Sequence, residues 1–177
     1  GPGISVGVLR HNGFLTGLQE GAGATPVAQT NSSDYIKDSR VVCSQDSGGD
    51  QAKGQTAMEN CLQSNPNINL VYAINEPAAR GAYAALKAAG KEKDVMIVAV
   101  DGGCTGVQAV KDGEIAATAQ QYPLKMAPLG VEAIVTYAKG GAKPSGYTDT
   151  GVTLITDKPQ PGVDSKDTTF GLANCWG

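Results

Sequence analysis

The sequence predicts an α/β fold, a doubly wound and mostly parallel sheet with helices on both faces. Two short apolar runs, Ile68 to Ile74 and Val95 to Val100, are rich in β-branched residues and end in polar or turn-forming residues. Strands buried on both faces read this way. Such runs alternate with alanine-rich stretches whose apolar residues recur at helical spacing, the pattern of parallel strands joined by helical crossovers. Glycine supplies 24 of the 177 residues and aromatics only 5%, which suits helices packed closely on a sheet better than an aromatic core.

The elements follow in chain order. A helix is expected from Val8 to Glu20, with Leu15, Leu18 and Ala22 at helical spacing and Gly21 closing it. Residues 23–38 are small and polar and read as a surface loop. Arg40 to Ser44 reads as a short strand around Val41 and Val42. Asp50 is suited to cap a helix from Gln51 to Ser64, which Asn65-Pro66 ends. The strand Ile68 to Ile74 leads into a helix from Pro77 to Ala89, a proline start being favourable in the first turn. Val95 to Val100 is the central strand, and Asp101-Gly102-Gly103 turns it into a short helix over residues 105–112. Glu114 to Gln120 is a further strand. Pro123 opens a helix to Lys139 that Pro128 is expected to bend. Gly151 to Thr156 is the last strand, and the tail from Pro159 reads as irregular until a short turn near Cys175-Trp176. Because the chain opens on a helix, the sheet lacks a first strand, and apolar edges are left over.

Composition removes several classes of function. The net charge of −3 and pI near 5.1 disfavour nucleic acid, which wants a basic face. No apolar run reaches the roughly 18 residues of a membrane span. No cofactor is implied, and with one histidine and no C-x-x-C pair a metal site is poorly supported. The four cysteines, Cys43, Cys61, Cys104 and Cys175, allow three disulfide connectivities. Pairs 43–61 and 104–175 are favoured, since Cys61 follows Cys43 in one strand–helix unit and Cys175 can tie a tail to the central turn. That pairing implies an oxidising compartment; four reduced, buried thiols are the alternative.

Three strand ends carry strongly hydrogen-bonding side chains, Asn75, Asp101 and Gln121. Parallel strands place them on one edge, where α/β sheets bind ligands. Two amides and a carboxylate, with Arg10 adding five fixed donors, suit a neutral ligand with many hydroxyls better than a phosphate. Each has a plainer reading: Asp101 as a turn former before Gly-Gly, Asn75 as the cap of the next helix. Cys104 at a strand-to-helix turn has the position of a nucleophile, but His11, the one histidine, is remote in sequence and reads as a structural neighbour of the site.

At these residues the chain resembles the sugar-binding proteins of bacterial ABC importers, of the type I periplasmic binding protein fold. The resemblance rests on Asn75-Glu76-Pro77-Ala78-Ala79, Val100-Asp101-Gly102-Gly103-Cys104, Ala119-Gln120-Gln121-Tyr122-Pro123 and Gly130-Val131-Glu132. It is nearest the ribose/fructose branch, and the ending Cys175-Trp176-Gly177 resembles its fructose-like members. The resemblance implies two lobes that close on a monosaccharide. Residues 1–121 and 149–177 would form an incomplete C-terminal lobe, lacking its first strand. Residues 122–148 would belong to an N-terminal lobe missing from this sequence. Arg10, Asn75 and Asp101 would be sugar contacts and Gln121 a contact at the hinge. Ser47-Gly48-Gly49-Asp50 has no aromatic where ribose binders carry one, which argues against ribose itself.

The function expected is therefore non-catalytic binding of a fructose- or ribose-like monosaccharide for delivery to an ABC transporter permease. The location expected is periplasmic or extracellular. The alternatives are a sugar-sensing receptor ectodomain, or the effector-binding core of a regulator of the lactose/purine-repressor type, cytosolic and reduced. An enzyme using Cys104 ranks last.

Overall fold

The computed structural model describes residues 5–21 and 34–177. Its elements are α1 (Ser5–Glu20), α2 (Gln51–Ser64), β1 (Leu70–Tyr72), α3 (Glu76–Ala88), β2 (Met96–Asp101), α4 (Cys104–Lys111), β3 (Ala117–Gln121), α5 (Pro123–Ala138), β4 (Val152–Ile155) and α6 (Thr168–Ala173). The four strands lie side by side in the order β1-β2-β3-β4. β1, β2 and β3 are parallel, with Val71 opposite Ile97 and Ala99 opposite Thr118, while β4 returns antiparallel to β3. The expected loop at 23–38 falls mostly outside the described residues.

Alternation along β2 assigns the faces. Ile97 and Ala99 point into a core with Ala79, Ala82 and Leu86 of α3 and with Ala109 and Val110 of α4. On the other face α1 lies against the sheet, its Phe14 ring stacked on Tyr72 of β1 with centroids 4.4 Å apart. Asp50 and Asn75 cap α2 and α3 by accepting from Lys53 N and Ala78 N.

α2 and α3 pack very closely. The reason is Gly81: a Cβ there would overlap the Gln51 carbonyl and crowd Gln55 N, both backbone atoms that cannot move aside. Both disulfides join the expected partners, Cys43 to Cys61 and Cys104 to Cys175, and no cysteine is free.

Three expectations are corrected. Residues 40–44 form no strand; they run as coil, with Val41 and Val42 40% and 54% exposed. β propensity alone cannot make a strand without a neighbour to pair with, and β1 meets β2 on one side only. The strand expected over 114–120 starts at Ala117, because Glu114 and Ile115 instead bond back to Ala109 O as the exit of α4. The tail is not all irregular: Asp167 caps α6 by accepting from Phe170 N, and Asp157 accepts from Thr168 N and Oγ1.

α5 differs from every other long helix in burying no residue, and Leu124, Val131 and Ile134 are 72%, 61% and 67% exposed.

Substitution of two glycines should separate close packing from helix propensity. Gly81→Ala should destabilise the fold by about 1–3 kcal/mol through overpacking. Gly130→Ala, in α5 with no atom within 4 Å of the added Cβ, should stabilise it by up to about 1 kcal/mol. Urea denaturation of the two variants reads both, and a neutral Gly81→Ala would contradict the packing described.

Candidate sugar-binding edge

The C-terminal ends of β2 and β3 carry the site. Glu76, at the first position of α3, is 4% exposed, and its carboxylate reaches under the turn that follows β2. Its Oε1 accepts from Gly102 N at 2.8 Å and Thr118 Oγ1 at 2.6 Å, and its Oε2 from Gly103 N at 3.0 Å. Beside that turn Gln120 donates from Nε2 to the carbonyls of Gly102 and Gly171. Gly102 has φ of +77°, and a Cβ there would collide with the Gln120 side chain, so both conformation and space require glycine.

Asp101 is the one non-glycine residue with positive φ among those described, at 146°. Such a conformation costs about 1–3 kcal/mol and persists only where its surroundings impose it. By strand alternation Asp101 belongs on the face of Ile97 and Ala99. Instead its backbone leaves strand geometry, and the carboxylate meets Arg10, which comes from the helix on the opposite face. Asp101 Oδ1 accepts from Arg10 Nη2 at 2.9 Å and from Gln121 Nε2 at 3.0 Å. Arg10 Nη1 donates to Ile74 O at 2.9 Å, and the Trp176 indole donates to Asp101 O at 3.3 Å. The Cys104–Cys175 bridge and the bond from Cys104 N to Trp176 O hold that tryptophan in place.

Three of the four expected site residues are thus brought together: Arg10, Asp101 and Gln121. Asn75 stands apart. Its Oδ1 caps α3 and its Nδ2 donates to Gly49 O at 2.9 Å, so it fastens the 47–50 loop to the sheet edge. The plainer reading of Asn75 as a cap therefore holds, with one amide N–H remaining. His11 also has a structural contact, Nε2 to Ile36 O at 3.0 Å, with its ring edge-on to Tyr35. Cys104, being bonded to Cys175, offers no thiolate. Among the described residues no cluster of three His, Cys, Asp or Glu could hold a metal, and no helix is long and apolar enough to cross a membrane.

Glu76 was not singled out from the sequence. The available signal was an acid in the first turn of a helix that follows a strand end, where helix dipoles favour negative charge. Nothing local reveals that two glycine amides will converge on it.

Burial pushes the Asp101 carboxyl up from its ordinary value, while the Arg10 charge and the bonds from Arg10 and Gln121 pull it back. Burial likewise raises Glu76, against the bonds from Thr118, Gly102 and Gly103, and nearby Asp101 adds to the rise. Tyr72 is pushed up to about 12, chiefly by burial. The arrangement is a fixed carboxylate with one oxygen that has no partner among the described residues, a guanidinium and an amide on an open edge. Cavities of about 610 and 640 Å³ lie elsewhere and are not lined by Asp101 or Gln121. Such an edge can grip hydroxyl groups through its carboxylate, guanidinium and amide.

Comparison with known proteins gives the family. A family described as periplasmic binding protein domain matches residues 2–142. A ribose import binding protein of Salmonella typhimurium is 43% identical over 100 residues, covering 56% of this chain and 33% of its own. A D-ribose/D-allose-binding protein of Pseudomonas aeruginosa is 29% identical over 157 residues, covering 81% of this chain and 48% of its own. Among solved structures, an ABC transporter solute binding protein of Agrobacterium vitis with bound D-fucose superposes with a TM-score of 0.58. It is 28% identical and covers 64% of this chain and 39% of its own. A galactofuranose binding protein superposes with a TM-score of 0.55 at 34% identity, covering 59% of this chain and 36% of its own. The matched part thus spans a third to a half of the length of these curated relatives, both named as binding proteins.

Linkage makes Glu76 testable. Its folded value lies above the ordinary 4.5, so the stabilisation from its protonation is complete below about 4.5 and is lost as pH rises through the folded value. Relative to Glu76→Gln, the native chain should lose unfolding free energy across that window. Urea denaturation at a series of pH values measures this. A pH-independent difference would contradict the burial assigned to Glu76.

Proposed function

The chain belongs to the periplasmic binding protein family, and we propose that it forms one wall of a monosaccharide-binding cleft whose other wall is a second lobe. The observation that carries this reading is the Arg10–Asp101–Gln121 cluster on the open C-terminal edge of the sheet. A carboxylate that accepts from two neighbours through one oxygen has its other oxygen left for sugar hydroxyls, and the guanidinium supplies donors. Asn75 adds its remaining amide N–H from the next strand end. Charge-assisted bonds of this kind are the strong ones in carbohydrate-like polar recognition.

The ligand class proposed is a neutral pentose or hexose, fructose- or ribose-like. The relatives and neighbours named above support the class: their names and bound molecules include ribose, allose, D-fucose and galactofuranose. Delivery to an ABC transporter permease, with the two lobes closing on the sugar, is the biological role proposed. Location in the periplasm or outside the cell fits both the family and the two disulfides. The exposed apolar residues of α5 suit a helix that packs in the other lobe. The repressor-type alternative needs reduced thiols, and the paired cysteines do not favour it.

Calorimetry with a two-lobed protein containing this lobe tests the reading. Asp101→Ala should weaken sugar binding by about 2 kcal/mol or more, the loss expected for hydrogen bonds to a charged group. Unchanged affinity would remove Asp101 from the site. The 177-residue chain alone should bind sugar weakly or not at all; micromolar binding by it would overturn the two-wall account. Thiol titration in denaturant without reductant should find none free, whereas four would favour the repressor-type reading.

A further inference from the structure

The peptide unit that joins Asp101 to Gly102 is gripped on both of its edges. Glu76 Oε1 accepts from Gly102 N at 2.8 Å, and the Trp176 indole donates to Asp101 O at 3.3 Å. This peptide follows a residue held at φ of 146°, a conformation that its surroundings must impose. Its orientation helps to fix where the Asp101 side chain leaves the backbone, since φ and ψ are the two soft torsions of a residue. The carboxylate so placed meets Arg10 at 2.9 Å and Gln121 at 3.0 Å. Glu76 grips from within the core beneath the turn. Trp176 arrives from 75 residues further along the chain.

The helix before Trp176 has anchors of its own. Asp167 caps α6, Gln120 donates to Gly171 O, and a Cβ on Gly171 would come within 2.8 Å of Val107 and 2.9 Å of Ile155. Past α6, Cys175 and Trp176 are tied to the turn by the Cys104–Cys175 bridge, by Cys104 N donating to Trp176 O at 3.0 Å, and by the indole. Neutral hydrogen bonds contribute little net stabilisation where water can compete for them, so the covalent bridge is what keeps the indole on the carbonyl. Cys104 and Cys175 are both partly exposed, within reach of a small thiol. Opening the bridge therefore releases Trp176 and leaves α6 in place.

From these features we propose that Trp176 is a positioning residue for the sugar site: clamped by the Cys104–Cys175 bridge, its indole holds the peptide after Asp101 and so aims the carboxylate. The inference rests on the sugar-binding reading of Asp101 and adds a residue that acts through it. It also makes sugar affinity depend on the bridge. A dithiol opens the bridge by thiol–disulfide exchange: one thiolate attacks a sulfur of the pair and expels the other as a thiol. The second thiolate then closes the reagent to its own disulfide, so two electrons pass to Cys104 and Cys175, which end as thiols. An oxidant that takes those electrons back restores the clamp.

The test has two parts, both with Cys43→Ser and Cys61→Ser so that dithiothreitol acts on the 104–175 bridge. In the whole chain Trp176 is the one tryptophan, and its fluorescence should shift to the red on reduction and return on reoxidation, with far-ultraviolet circular dichroism unchanged. An emission that ignores reduction would overturn the clamp. The second part is calorimetry on a two-lobed protein containing this lobe, with D-ribose, D-allose, D-fucose and D-fructose as probes. Trp176→Phe keeps an aromatic ring and loses the N–H donor, and should weaken binding about fivefold, the loss of one hydrogen bond. Reduction, which needs no substitution at Trp176, should weaken it at least as much and reversibly. In an Asp101→Ala background neither change should weaken binding further, because positioning acts through that carboxylate. Equal losses in both backgrounds would show general loosening of the lobe and overturn the proposal. Full affinity in Trp176→Phe and in the reduced protein, where Asp101→Ala binds weakly, would overturn it and leave the sugar reading standing. Full affinity in Asp101→Ala itself would remove the sugar reading and this inference together.

Discussion

Glu76 leaves the first turn of α3 and places a carboxylate beneath the Gly102-Gly103 turn, where two backbone amides and the Thr118 hydroxyl converge on it. Three elements meet at those two oxygens: α3, the exit of β2 and the start of β3. A buried carboxylate without such partners would be strongly unfavourable, so the turn and the acid require each other. The conformation of Asp101 depends on that turn. With its φ held at 146°, the carboxylate leaves the α3 face of the sheet and reaches Arg10 across the edge.

Second restraints come from the far end of the chain. The Cys104–Cys175 bridge brings Trp176 to the backbone of Gly103 and Cys104, and its indole caps the carbonyl of Asp101. Closing a loop of this length removes freedom from the unfolded chain, worth on the order of 4 kcal/mol in the chain-entropy view. Locally it also fixes the residue that carries the site's charge. Rigid placement matters for polar recognition, because hydroxyl groups are gripped well only by donors and acceptors already in position.

Two surfaces stand unlike the rest of the molecule. One is the groove beside β1, where sheet edge and apolar faces coincide. The other is α5, whose leucines, valines and isoleucine face solvent around the helix. They differ in kind. Among the described residues β1 has a neighbouring strand on one side only, whereas a helix has satisfied its own backbone and offers only side chains.

The alternation of strands and helices, the caps at Asp50 and Asn75, and the strand-end positions of Asp101 and Gln121 were legible in the sequence, because periodicity, capping and turn chemistry are local. Cysteine placement along those elements also foretold both bridges. Other features were not local. Arg40 to Ser44 has the residues of a strand but no neighbour to pair with. Gln120 and Gln121 are indistinguishable in type, yet one is fully buried against Gly102 and Gly171 and the other meets Asp101. Glu76 reads as one more acid in a first helical turn. What the sequence alone determined was the order of helices α1 to α5 and strands β1 to β4 and where polar groups end the strands. Which of those groups face each other, and which are spent on the backbone, was decided by the tertiary structure, since hydrogen bonds between distant residues depend on how strands pair and turns converge.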